Sequence, residues 1–67
     1  MDLLQRAREL QAQGRLHEAL EAAQAACERH PREPEAWALL AAVSGALGMA
    51  AASEDAARRA AELSAQA

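Results

Sequence analysis

Apolar side chains recur along this chain every three or four positions, in stretches interrupted by Gly14, by Pro31 and Pro34, and by Gly48. That spacing marks one face of an α-helix. Between the breaks the chain is mostly Ala, Leu, Glu, Gln and Arg, which are strong helix formers. Val43 is the only β-branched side chain, so strands are not expected. The pattern predicts an all-α fold of four helices.

The first predicted helix runs from about Asp2 to Gln13, with Leu3, Ala7 and Leu10 facing inward and Leu4 on the flank. Gly14 closes it, because a left-handed backbone costs glycine nothing. The second runs from about Leu16 to Arg29 and turns Leu16, Ala19, Leu20, Ala23, Ala26 and Cys27 inward. Its solvated face carries Glu18, Glu21, Gln24, Glu28 and Arg29. Pro31 ends it, since the residue before a proline avoids helical geometry. Pro34 opens the third helix, where its missing N–H is no loss, and Glu35 suits the positive end of the helix dipole. This helix turns Trp37, Leu40, Ala41, Val43, Ser44 and Leu47 inward and stops at Gly48. Gly45 within it costs ~1 kcal/mol against alanine and marks a close helix contact. The fourth helix is placed from Met49 on the helix propensity of Ala50 to Ala52, with a later start at Ser53 as N-cap the alternative. Its predicted inner face, Ala56, Ala57, Ala60 and Leu63, is weak. Short links between helices predict antiparallel hairpins, one over 2–30 and one over 34–66.

A step of 34 residues carries Leu3 onto Trp37, Ala7 onto Ala41, Gly14 onto Gly48 and Ala26 onto Ala60. A fixed period of this size marks a helical repeat architecture. The strings Gly14-Arg-Leu-His-Glu-Ala-Leu20 and His30-Pro31-Arg-Glu-Pro-Glu-Ala-Trp37 resemble the tetratricopeptide repeat. With Leu3, Ala7, Leu10, Ala23 and Ala26, and then Leu40, Ala41, Gly48, Ala57, Ala60 and Leu63, the resemblance covers essentially the whole chain. It implies one domain of two repeats, 1–33 and 34–67, stacked as a short right-handed superhelix. The second unit departs from the pattern, with Ser44 at the position of Leu10, Ser53 and Glu54 at those of Ala19 and Leu20, and Ala65 at that of Pro31. A more loosely packed second hairpin is the expectation. Solenoids usually need three or more repeats and polar caps. Two uncapped repeats imply a fragment, a terminal domain of something larger, or a chain that pairs with itself.

The first helix of each repeat in this family lines a concave groove that takes peptides. The resemblance places Leu4, Gln5, Arg8, Gln11 and Ala12 there, with Glu35, Ala38, Leu39, Ala42 and Gly45 opposite. The family's carboxylate clamp of Lys, Asn and Arg is absent: Leu4 stands where the Lys is needed and Arg8 where the Asn is needed, and Leu39 and Ala42 offer no donors. What remains is a shallow, largely apolar surface with one cation, Arg8, and one anion, Glu35, suited to an amphipathic helix or an apolar extended segment. Leu4 and Leu39 have a second reading, as packing between the hairpins. Trp37 could be a partner contact, but its match to the repeat's aromatic position favours packing inside the second hairpin.

Charge and composition narrow the function. A net charge of −3 and a pI near 5.2 oppose nucleic-acid binding, which favours a basic face. The longest nonpolar run, Ala36 to Val43, is far below the ~20 residues of a membrane span. The opening Met-Asp-Leu-Leu-Gln-Arg lacks the order of a signal peptide, so a cytoplasmic location is expected, and a lone Cys27 suits it. Cys27 and His30 could be half a zinc site, but four ligands are needed, and a buried inert thiol is the better reading. His17 is expected to contact Glu21 one turn on. Adjacent Glu54 and Asp55 lie ~100° apart on a helix, and Ser44, Ser53 and Ser64 have no His and Asp at catalytic spacing. No phosphate loop exists. No enzyme, cofactor or metal is therefore expected. The expected function is a protein–protein interaction module for a protein or peptide segment. A self-associating bundle forming a homodimer and an accessory domain of a larger enzyme are the alternatives.

Overall fold

The computed structural model describes residues 2–66. Among them are four helices and no strand: α1 (Leu3–Ala12), α2 (Leu16–Arg29), α3 (Pro34–Ala46) and α4 (Ala50–Ala65). Local chemistry sets their ends. The Asp2 carboxylate caps α1 by accepting from the Leu4 N–H at 3.0 Å, which satisfies one otherwise orphaned donor. The two hairpin turns repeat one geometry a period apart. Gly14 and Gly48 take φ of 78° and 80°, with nothing within 4 Å of where a Cβ would sit, so the backbone conformation alone demands glycine there. After α1, the Arg15 N–H donates to the Leu10 carbonyl (2.9 Å) and the Gly14 N–H to that of Gln11 (3.0 Å). After α3, Met49 and Gly48 do the same to Ser44 (2.9 Å) and Gly45 (3.1 Å). Both turns are Schellman motifs. The fourth helix takes the earlier of its two expected starts.

α1 pairs with α2 and α3 with α4, and α3 also packs on α2 and more lightly on α1. The main cluster joins Ala7, Leu10, Ala19, Ala22, Ala23, Leu39 and Val43. A second holds Ala26, Cys27 and Ala36, flanked by Leu3, Trp37 and Leu40. Five of these ten residues are alanines of α1 and α2. Alanine buries little area, so close backbone approach supplies the dispersion energy that larger side chains would otherwise give.

The expected faces are largely those observed, with corrections in the second hairpin. Ala57 is exposed, whereas Ala56 is buried and Ala60 and Leu63 are half-buried. In the first hairpin the equivalent of Ala57 is Ala23, which is fully buried in the cluster that α1 and α3 complete. No helix covers the outer side of α4 among the described residues. Trp37 does not sit inside the second hairpin alone. It packs on Ala26 and Cys27 of α2, at the junction of the two hairpins.

In the second hairpin α4 buries only Ala56 among the described residues, against five buried residues on α2. α3 and α4 make the most extensive backbone contact of any helix pair. Gly45 allows this: a Cβ there would lie 3.2 Å from Ser53 Oγ, and the same hydroxyl donates to the Ala41 carbonyl at 2.9 Å. α4 leans on α3 alone. Among the described residues no Cα of α2 comes within 8 Å of a Cα of α4.

Ser44 is fully buried and its hydroxyl has no hydrogen-bond partner. An unsatisfied buried hydroxyl is costly to desolvate. Ser44→Ala should raise stability by about 1 kcal/mol, measured as a higher urea midpoint with an unchanged slope. A loss of stability would mean the hydroxyl finds a partner in solution.

Candidate functional site

The residues assigned to the groove by resemblance lie on α1 and α3, and one contact draws them together. Arg8 Nη2 donates to Glu35 Oε2 at 2.8 Å, with the two side chains 48% and 63% exposed. An exposed pair of this kind is worth only ~0.2–1 kcal/mol. Its larger effect is electrical, since the one cation and the one anion of this face neutralise each other. Gln5, Ala12, Ala38 and Ala42 are exposed and Leu4 and Gln11 half-buried, whereas Gly45 lies against Ser53 of α4 rather than opposite α1. Leu39 does not line the face. It is 8% exposed and belongs to the main core cluster, so packing between the hairpins is its role.

A different surface carries an open cleft. At ~100° per residue, Trp37 and Leu40 project from the side of α3 roughly opposite Glu35, Ala38 and Ala42. They line an open cleft of about 650 Å³ with Glu21, Gln24, Ala25, Cys27 and Glu28 of α2, and Pro31. The indole is fixed from two sides. Its Nε1–H donates to the Pro31 carbonyl at 2.9 Å, and the Arg59 guanidinium of α4 stacks over the ring, 5.6 Å from its centroid. Beyond Arg59 a smaller recess of about 280 Å³ continues along Pro31, Arg32, Glu62 and Leu63.

The cleft follows from the packing. Its lining belongs to α2, to Pro31 and to Trp37 and Leu40 of α3. α4, which is held against α3 at Gly45 and Ser53 and makes no backbone contact with α2 among the described residues, leaves it uncovered. Sequence reasoning missed Glu21, Gln24, Ala25 and Glu28 as cleft residues. Their spacing of three, four and seven places them on one helix face, and that face reads as solvated until the packing of α3 against α2 is known.

Cys27 at the edge of this cleft is free and 4% exposed. Its thiol is pushed up to about 11, chiefly by burial and secondarily by the Glu28 carboxylate. The neutral thiol is thus favoured in the fold, so its contribution to stability is full below about pH 9 and is lost as pH rises towards 11. Alkylation of folded protein by iodoacetamide at pH 8 should be about a hundredfold slower than in urea. Equal rates would show the thiol to be accessible. Among the described residues no three His, Cys, Asp or Glu side chains gather where a metal could bind. The expected contact of His17 with Glu21 does not form: Glu18 pairs with Arg15 at 2.9 Å, and the described ion pairs include neither His17 nor Glu21. No described helix is long and apolar enough to cross a membrane.

A sequence model of the tetratricopeptide repeat family matches residues 2–43, well over half of the chain. The match takes in α1, α2 and α3 as far as Val43, and stops before α4. No curated protein and no solved structure matches the chain.

Proposed function

Since the chain belongs to the tetratricopeptide repeat family, we propose that it is a non-enzymatic, cytoplasmic protein–protein interaction module. Its two repeats, 1–33 and 34–67, act as one domain that receives an apolar helix or extended segment of a partner on the face shared by α1 and α3. The Arg8–Glu35 pair carries this reading. It ties the two helices of the face together and cancels their charges, so a weakly charged partner is favoured over an acidic tail. The small exposed side chains of Ala38 and Ala42 let a partner backbone approach closely.

Ala38→Glu/Ala42→Glu protein should retain its helical content and lose partner recovery from a native extract. Equal recovery by both proteins would remove the α1–α3 face from consideration. Self-association is the second reading, favoured by Met49, 40% exposed, and by the exposed Ala57 farther along α4. A strictly monomeric mass by light scattering at micromolar concentration rules it out.

A further inference from the structure

We infer that the cleft between α2 and α3 is a second docking site, built for a basic amphipathic helix of a partner protein. The inference rests on the reading that this chain binds protein segments, but it assigns them another face. The cleft has an apolar floor of Trp37, Leu40 and Ala25. Its volume of about 650 Å³ lies within the range of specific binding pockets. Its own lining holds two carboxylates, Glu21 and Glu28, on the α2 side, and the cation beside it, Arg59, is engaged on the Trp37 ring. Neither carboxylate belongs to an ion pair among the described residues, in contrast to Arg8 and Glu35, which satisfy each other.

Their spacing defines the occupant. Glu21 and Glu28 are seven residues apart, two turns of α2 or ~10.5 Å on one face. A partner helix lying along α2 with two Lys or Arg side chains seven residues apart meets both carboxylates. Apolar residues three and four positions away from those cations then point at Trp37 and Leu40, which is the helix-in-groove mode of recognition. An acidic helix would set like charges against each other and is excluded by the same geometry. The already fixed indole loses little freedom on binding, which lowers the ordering cost.

Two synthetic helical peptides of about five turns test this, sharing a leucine face and differing only in Lys or Glu at two positions seven apart. Trp37 is the single tryptophan and reports occupancy by its fluorescence. The Lys peptide should shift its emission and bind at least about tenfold more tightly than the Glu peptide. Glu21→Lys/Glu28→Lys protein should invert that preference, while Ala38→Glu/Ala42→Glu protein should bind as wild type does. No binding of the Lys peptide, equal binding of both peptides, or an unchanged preference in the Glu21→Lys/Glu28→Lys protein would overturn the inference. Loss of the peptide in Ala38→Glu/Ala42→Glu protein would transfer the site to the α1–α3 face. A concentration-dependent Trp37 emission without peptide, accompanied by a dimer mass, would give the cleft to a second copy of the chain and also overturn it.

Discussion

Trp37→Ala should destabilise the protein by about 3 kcal/mol, a substantial share of its total stability. A chain of 67 residues has a total stability of only ~3–10 kcal/mol. The indole fills the junction between the hairpins, against Ala26, Cys27 and Ala36. It also supplies the bond to the Pro31 carbonyl and the face on which Arg59 rests. One substitution therefore loosens α3 from α2, from the connecting turn and from α4. Trp37→Phe keeps most of the ring and removes the Nε1 bond, so it should cost about 1 kcal/mol. Both follow from urea titrations read by helical circular dichroism. A Trp37→Ala protein of undiminished stability that no longer bound partners would make the indole a contact residue rather than a structural one.

The second large effect is a contrast. Ala23→Leu and Ala57→Leu make the same chemical change one 34-residue step apart, yet only the first should matter. Ala23 is fully buried in the main core cluster and has no room for three added carbons, so overpacking should cost about 3 kcal/mol. Ala57 is exposed, and its substitution should fall within ~0.5 kcal/mol of wild type. Equal costs would mean that the outer side of α4 is covered in solution, which is what self-association requires. Thermal melts at two protein concentrations separate these outcomes, because dimer stability depends on concentration.

The helices were legible because their ends are written locally. Gly14, Gly48, Pro31 and Pro34 impose backbone conformations that need no tertiary information, and the helix limits fall within a residue or two of where those residues put them. Burial was only half legible. Periodicity identifies the apolar side of a helix, but not whether a neighbour covers it. Ala23 and Ala57 have the same local signature and opposite surroundings. Leu39 fell on the groove side by resemblance, and the approach of α3 to α1 and α2 buries it. At the candidate site, Arg8 and Glu35 were visible as the charges of one face. Their pairing across 27 residues of sequence depends on how the hairpins stack. The cleft was invisible for the same reason, since it is defined by how α3 packs against α2.

The attachment of α4 to α3 alone also bears on how the molecule opens. In a stack of helices that touch only their neighbours, stability is a sum of local and nearest-neighbour terms, and the end element is held by a single interface. Removing α4 breaks the α3 contact and leaves the α1–α2 and α2–α3 contacts in place. Amides of α4 should then exchange with solvent through a partial opening of lower free energy, while those of α2, enclosed by α1 and α3, wait for global unfolding. The protein has two opening free energies rather than one, and a single melting temperature describes only the larger.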